Sequence, residues 1–154
     1  MNLKQLEENL NKEAGSYILV LKAEARSEVE VGSAGLLTIE PGYYLYLGSA
    51  RGPGGVVARV GHHYRQTANP HWHIDYLRAE TELVDVWYIY SQQSYEHSWA
   101  DYFLAQEETK IPLGGFGASD CDCQSHLFFF VNCQSLAEFK QQFEETEIYS
   151  IGGL

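Results

Sequence analysis

The segment PGYYLYLGSARGPGGVVARVGHHYR, residues 41–65, predicts a strand, a glycine-rich turn and a short helix. Residues 43–47 are aromatic or aliphatic and uncharged, which is typical of a strand that is buried on at least one face. The strand is predicted to end at Gly48, and the four glycines and one proline of residues 48–55 let a ligand come close to the main chain. Residues 56–65 are amphipathic, so we expect a helix whose polar side faces the turn.

Length and composition predict one globular domain over residues 1–154. Hydrophobic residues make up 45% and aromatic residues 14% of the chain, which is enough to bury a sizeable core. No apolar run reaches the ~18 residues of a membrane span, and the charged N-terminus does not resemble a signal peptide. Cys121, Cys123 and Cys133 cannot all pair within one chain, so we expect a reducing compartment, the cytoplasm.

The charges are unevenly distributed along the chain. The formal net charge of −11 argues against an obvious nucleic-acid-binding protein, because affinity for phosphates depends on lysine and arginine. Residues 41–74 nevertheless contain no acid and carry a charge of +3, which leaves −14 for the remainder. The basic and imidazole side chains of this window are Arg51, Arg59, Arg65, His62, His63, His71 and His73. The pattern fits a phosphate-binding patch, and it equally fits a helix face that lacks acids.

Further periodic segments predict an α/β (α+β) fold with a small central antiparallel sheet flanked by helices. Strands are predicted at residues 16–23, 28–31, 35–40, 83–90 and 127–131, and helices at 3–12, 94–106 and 136–145. The last residues are predicted to be frayed. The segment HWHIDYL, residues 71–77, fits either an extended chain with His71, His73 and Asp75 on one side or a helix in which His71 and Asp75 meet.

Two tripeptides resemble the paired motifs that name the GIY-YIG nuclease superfamily. They are Gly-Ser-Tyr at residues 15–17, on the first predicted strand, and Tyr-Leu-Gly at residues 46–48, on a later strand. Arg59 at the start of a helix, His63 one turn later and Glu96 on a subsequent helix follow in the order of that superfamily. Either tripeptide alone would be a weak signal.

The chain more closely resembles a functionally uncharacterised branch of this superfamily. That branch is marked by a YLYLGSA-x-GPGG turn, here residues 44–55, by an HWHIDYL segment at residues 71–77 and by a D-C-x-C-x-x-H loop at residues 120–126. The similarity extends over roughly residues 15–131, and the combination of the three motifs is specific.

The resemblance implies a GIY-YIG-like domain that hydrolyses nucleic-acid phosphodiesters, with DNA as the expected substrate and one Mg²⁺ or Mn²⁺ ion as cofactor. In this sequence Tyr46 would be the general base or a hydroxyl that orients water, with Tyr17 as its neighbour across the sheet. Arg59 would clamp the phosphate, and Glu96 would be the metal ligand. For His63, phosphate binding, proton relay and packing all stay open.

These groups suit the chemistry, because phosphodiester cleavage develops charge on oxygens that a guanidinium and a metal ion stabilise. One carboxylate and several waters commonly hold Mg²⁺. Tyrosine, with a pKa of about 10, needs help from the metal or from Arg59 to act as a base. Nucleic-acid contacts are expected from Gly48, Ser49, Arg51, His62, Arg65, His71 and His73.

Two features of the sequence complicate these assignments. An apparent extra hairpin in residues 24–42 lengthens the spacing between Tyr17 and Tyr46, and the choice of Glu96 depends on the position of its helix. The other acids near that helix are Asp101, Glu80 and Glu82. Each assigned residue also has a structural alternative: the tyrosines as strand aromatics, Arg59 as a solvated helix side chain and Glu96 as a partner of the helix dipole.

The D-C-x-C-x-x-H loop is a second candidate metal site. Cys121, Cys123 and His126 are of the residue types that bind zinc, and His71 or His73 would complete a set of four ligands. The C-x-C spacing is tighter than that of the usual zinc knuckle. We therefore favour a polar loop with buried thiols over a zinc site.

Three functions are compatible with these patterns. The first is a Mg²⁺-dependent nuclease, the second is a non-catalytic nucleic-acid-binding or adaptor module, and the third is a small-molecule phosphoesterase or nucleotide-binding protein. Metal-dependent cleavage supports the first, and salt-sensitive binding without cleavage supports the second. The acidic surface also suggests that a protein partner supplies part of the binding surface.

Overall fold

The structure is a computed structural model that describes residues 3–65, 69–70, 72–114, 116, 125–132 and 136–150. It confirms the predicted α+β class, with a five-stranded antiparallel sheet flanked by helices and a separate two-stranded hairpin. The helices are α1 (Leu3–Asn9), α2 (Gly55–Arg65), α3 (His73–Arg78), α4 (Glu96–Leu104) and α5 (Leu136–Gln142). The strands are β1 (Gly15–Ala23), β2 (Ser27–Glu30), β3 (Leu36–Ile39), β4 (Gly42–Ala50), β5 (Glu82–Tyr90), β6 (Leu127–Phe130) and β7 (Glu147–Ser150). No helix within these described ranges has the length and hydrophobicity that crossing a membrane requires.

Strand β1 lies at the centre of the five-stranded sheet, whose order is β6-β4-β1-β5-β7. Tyr17, Leu19 and Leu21 pack on the face that α1, α2 and α3 cover. Ile18 and Val20 pack on the face that α4 and α5 cover. Because side chains alternate between the faces of a strand and both faces are covered, β1 is a nearly continuous apolar run.

Aromatic side chains fill the face of the sheet beneath α4 and α5. The rings of Phe103 on α4 and Phe139 on α5 stack at a centroid distance of 5.5 Å and an interplanar angle of 5°. Trp87 of β5 and Trp99 of α4 also contact the Phe139 ring. This buried cluster holds α4, whose first residue is Glu96, firmly against the sheet.

Strand β4 extends beyond Gly48, so the prediction that this glycine ends the strand was wrong. The strand continues to Ala50 because Gly48, Ser49 and Ala50 pair with residues 15–17 of β1. Cross-strand hydrogen bonds outweigh the local preference of glycine for turns. The turn between β4 and α2 is therefore shorter than the glycine pattern suggested.

The segment at residues 71–77 is helical from His73 onward, in agreement with the helical alternative. The backbone N–H of Trp72 donates to Oδ2 of Asp75 at 2.9 Å, which caps the first turn of α3. His71 lies outside the described residues. The extended alternative is therefore wrong for His73 to Arg78.

The additional hairpin is confirmed, because β2 pairs with β3 in the chain between Tyr17 and Tyr46. The prediction of a frayed end was wrong for residues 147–150, which form β7 and pair with β5. This pairing satisfies backbone groups that an open edge of β5 would expose. Helix α5 ends at Gln142, three residues before its predicted end.

The register of β1 and β4 places Tyr17 opposite Gly48. A methyl group on Gly48 would overlap the ring of Tyr17, which lies across this position. Glycine is needed here because a side chain approaches the backbone closely. The register also makes Tyr17 and Tyr46 diagonal neighbours on one face of the sheet.

Replacement of Gly48 by alanine is expected to lower the free energy of unfolding by about 1–3 kcal/mol, because the added methyl group displaces the buried ring of Tyr17. Urea denaturation of the wild type and the variant measures this loss. Gly52→Ala is the matched control, since a methyl group at Gly52 meets no atom within 4 Å. Equal losses in the two variants would contradict the predicted overlap.

Candidate active site

A cavity of about 440 Å³ lies where β1 begins and β4 ends. Its walls are formed by Tyr17, Tyr46, Leu47, Gly48, Ser49, Arg51, Arg59, Ser94, Glu96, His97 and His126. These residues belong to β1, β4, α2 and α4 and to the connections beside them. The cavity is therefore built by tertiary folding from segments that are far apart in the sequence.

Seven of the residues that the sequence analysis proposed for the site line this cavity. They are Tyr17, Tyr46, Gly48, Ser49, Arg51, Arg59 and Glu96. All of the groups to which the GIY-YIG resemblance gives a phosphate, water or metal role are among them. His63 lies directly behind the wall, in contact with Tyr17.

Three other proposed residues that the structure describes, His62, Arg65 and His73, do not line the cavity. Nε2 of His62 lies 3.1 Å from Oδ1 of Asp75 on α3. Arg65 is on a different surface, where its Nη2 lies 3.9 Å from Oε1 of Glu7. The ring of His73 packs against the ring of Phe116 at a centroid distance of 5.4 Å. The proposed residues outside the described part of the chain are His71, Cys121 and Cys123.

The buried imidazole of His63 is in contact with both tyrosines. Oη of Tyr17 lies at hydrogen-bonding distance, 2.9 Å, from Nε2 of His63. The rings of Tyr46 and His63 pack edge to face with a distance of 6.0 Å between their centroids. The pKa of His63 is lowered to about 3, mainly by burial and secondly by the neighbouring His62. The imidazole is therefore neutral at pH 7. A neutral imidazole can accept a hydrogen bond from Tyr17 or donate one to it, and in either case it orients that hydroxyl.

Both tyrosines of the cavity remain protonated at neutral pH. Burial raises the pKa of Tyr17 well above its ordinary value, and Tyr46 adds to this effect. Burial also raises the pKa of Tyr46, with the carboxylate of Glu96 as the second cause. A protonated phenol can donate a hydrogen bond to a phosphate oxygen and accept one from water. These shifts favour the water-orienting role for Tyr46 over the role of general base.

Arg59 is held in the cavity wall by Trp72. Its Cζ atom lies 4.6 Å from the centroid of the Trp72 ring, which is a cation–π contact. Among the described residues, no ion pair includes Arg59. No ion pair with a described residue therefore neutralises the charge that the guanidinium presents to the cavity.

Glu96 is the first residue of α4, and its carboxylate reaches the cavity. Asp101, Glu80 and Glu82 do not line the cavity. Of the four acids that the sequence analysis named, Glu96 is therefore the one that lies in the cavity wall. Its Oε2 lies 3.1 Å from Nδ1 of His126, an ion pair when the imidazole is protonated. A single carboxylate beside an open cavity fits Mg²⁺, which keeps most of its water ligands.

Four residues of the cavity were not predicted as members of this site. They are Leu47, Ser94, His97 and His126. The carbonyl of His126 accepts the N–H of Leu47 at 2.9 Å, so the pairing of the chain beside β4 places its side chain next to Glu96. For His126 the sequence contained one signal of a role in the site, its position directly before a predicted core strand. No local pattern marked Ser94, whose Oγ lies 3.2 Å from Oγ of Ser49.

Comparison with protein families gives a match over most of the chain. The model described as a domain of unknown function, DUF123, matches residues 16–148. The chain belongs to the DUF123 family. The DUF123 match contains every residue that lines the cavity. Comparisons with curated proteins and with solved structures give no match.

Acid is expected to destabilise the protein through His63. With a pKa of about 3 in the folded protein and an ordinary value of about 6.5 on unfolding, His63 binds a proton only in the unfolded state between these values. The free energy of unfolding therefore falls as the pH falls below about 6.5, by up to ~1.4 kcal/mol per pH unit from this one group.

Urea denaturation at a series of pH values in buffer with EDTA measures this slope, and His63→Gln is expected to make it shallower. His97→Gln, at an exposed histidine, is the matched control and should keep the slope of the wild type. Identical slopes in the wild type and in His63→Gln would contradict the prediction.

Proposed function

We propose that this member of the DUF123 family is a metal-dependent nuclease that hydrolyses phosphodiester bonds of nucleic acid, with DNA as the substrate. The observation that carries the proposal is the shared cavity of Tyr17, Tyr46, Arg59 and Glu96. A guanidinium, a carboxylate and two hydroxyls supply the charge stabilisation, metal ligand and water contacts that this reaction requires. The resemblance to the GIY-YIG nuclease superfamily supports the same reaction.

In this proposal Arg59 binds the scissile phosphate. Its contact with Trp72 restricts the guanidinium, so less side-chain freedom is lost when it grips two phosphate oxygens. Arg51, in the same cavity, adds a second positive charge. Because the chain as a whole carries −11, this basic region suits a short stretch of nucleic acid, such as a flap, an end or a junction, better than a long duplex.

The two tyrosines position the attacking water and a phosphate oxygen. Tyr46 and Tyr17 are diagonal neighbours on the sheet, so their hydroxyls act from one wall of the cavity. Their raised pKa keeps the protons on both oxygens. His63 is a positioning residue, because it touches Tyr17 and lies behind the wall. Proton removal from the water therefore needs a further group or the metal ion.

Glu96 is the proposed ligand for Mg²⁺ or Mn²⁺. His126 contacts one carboxylate oxygen and so holds the side chain in place, which makes it a positioning residue for the ligand. When bound, the ion supplies positive charge opposite the oxygens that become negative during cleavage. Water molecules would complete the coordination of the ion.

A small phosphoester is the second candidate substrate. The cavity volume of about 440 Å³ lies in the range of small-molecule sites, roughly 300–1,000 Å³. The net charge of −11 also repels a polyanion more strongly than a mononucleotide. The same cavity residues would bind the phosphate, so activity confined to mononucleotides distinguishes this function from the first.

The protein's setting follows from the same features. We propose a cytoplasmic location, since three cysteines in a chain of this size suit a reducing compartment. We also propose that a protein partner contributes nucleic-acid contacts, because the basic residues of this chain are few.

The decisive measurement is cleavage of labelled single-stranded, duplex, flap and junction DNA and RNA with Mg²⁺, with Mn²⁺ and with EDTA. We expect metal-dependent products from the wild type, and a loss of at least about 100-fold in Glu96→Gln, because the variant lacks the anionic ligand. Asp101→Asn, on the same helix but outside the cavity, is the matched control. Binding without cleavage under any metal would instead identify an adaptor module.

Arg59→Ala is expected to lower kcat/KM for the cleaved substrate by about 100-fold, because one positive group in contact with the developing charge is removed. Arg59→Lys should recover only part of the loss, since lysine lacks the planar fork. Arg65→Ala is the matched control, as Arg65 lies on another surface beside Glu7. Equal rates for Arg59→Ala and Arg65→Ala would exclude Arg59 as the phosphate clamp.

A further inference from the structure

A second group of ligand-type side chains lies beside the cavity, and of its members only His63 has a role, as a positioning residue, in the proposed hydrolysis. His62 and His63 of α2 and Asp75 of α3 each place one ligand atom within 4.8 Å of the others. They come together because α2 packs against α3, whose first turn contains Asp75. Such a set, two imidazoles and one carboxylate, is a recurrent ligand combination for transition metals.

Asp75 is fixed in a position from which it can bind a cation. Its Oδ2 accepts the backbone N–H of Trp72 at 2.9 Å, and its Oδ1 lies 3.1 Å from Nε2 of His62. The Asp75 side chain is only 4% exposed, whereas that of His62 is 37% exposed. A hollow of about 130 Å³ beside His62 and Trp72 lets an ion approach from solvent.

His63 supplies the observation that points to a missing ligand. The residue is 1% exposed, and its Nε2 is taken by Oη of Tyr17 at 2.9 Å. In the part of the chain that the structure describes, the buried Nδ1 of His63 has no hydrogen-bond partner. A buried polar atom without a partner is costly, and a metal ion would satisfy it.

We propose that His62, His63 and Asp75 bind one Zn²⁺ ion, with Nδ1 of His63, a ring nitrogen of His62 and a carboxylate oxygen of Asp75 as ligands. Imidazole nitrogens suit Zn²⁺, whereas Mg²⁺ requires oxygen ligands, so the two ions partition between this site and Glu96. Water completes the tetrahedron. Ligand atoms of tetrahedral zinc lie about 3.3 Å apart, so the three ligand atoms, which lie within 4.8 Å of one another, move closer together on binding.

The site has a consequence for the neighbouring cavity, and this step alone rests on the proposed function. A zinc ion on Nδ1 requires the proton of His63 to be on Nε2, from which it is donated to Oη of Tyr17. The Tyr17 hydroxyl then has its own proton to donate into the cavity. Zinc would thus set the direction of the hydrogen bond between α2 and β1.

Titration of the metal-free full-length protein with Co²⁺ and Zn²⁺, in excess Mg²⁺, tests the site. We expect one Co²⁺ ion to bind per chain and to give visible d–d bands but no thiolate charge-transfer band. Zn²⁺ should displace this Co²⁺ ion. His62→Asn should weaken binding about tenfold or more and keep the circular dichroism spectrum of the wild type. His63→Gln is the second ligand variant, in case one substitution alone leaves the ion bound.

Two matched variants serve as controls. His73→Asn, on α3 but outside the cluster, and the double variant Cys121→Ser with Cys123→Ser should both bind Zn²⁺ like the wild type. Loss of binding in the cysteine variant, or unchanged binding in both His62→Asn and His63→Gln, would overturn the proposal. Because binding is read without substrate, a chain that binds Zn²⁺ but cuts nothing contradicts only the proposed nuclease function.

Discussion

The antiparallel register of β1 and β4 is the constraint on which the candidate active site depends. It sets Tyr17 opposite Gly48. It also places Tyr46, two residues before Gly48 on β4, on the same face of the sheet as Tyr17. The absent side chain of Gly48 lets the Tyr17 ring lie across the strand. Ile18 and Leu47, paired in the same register, point into the aromatic core on the other face. Because a slip of one residue would exchange the two faces, core packing and site geometry enforce one another.

Helix α2 carries the groups that face these tyrosines, and its attachment to the N-terminal part of the chain fixes their position. The N–H of Val56 donates to the carbonyl of Glu13 at 3.0 Å, and Gly55, with φ of 59°, makes the sharp entry into the helix. This contact satisfies a donor that a helix start leaves open. Arg59 and His63, four residues apart, then lie on the same side of α2, one in the cavity wall and the other behind it.

Local patterns were sufficient to predict most elements of the fold. The apolar run of β1, the amphipathic pattern of α2 and the aromatic pattern of α4 each reflect burial that repeats at a fixed spacing along the chain. The errors arose where pairing with a distant strand decides the structure. Gly48 looks like a strand end but continues the ladder with β1, and residues 147–150 look frayed but pair with β5.

The sequence by itself determined the fold class, and the order of Tyr17, Tyr46, Arg59 and Glu96 that the resemblance relies on. The tertiary structure alone decided that these four line one cavity, since neither a strand register nor the docking of a helix is encoded in local spacing. It also placed His126 beside Glu96. The charge states of the site belong to the tertiary structure as well, because burial, which local sequence does not specify, keeps the phenols protonated and the imidazole of His63 neutral.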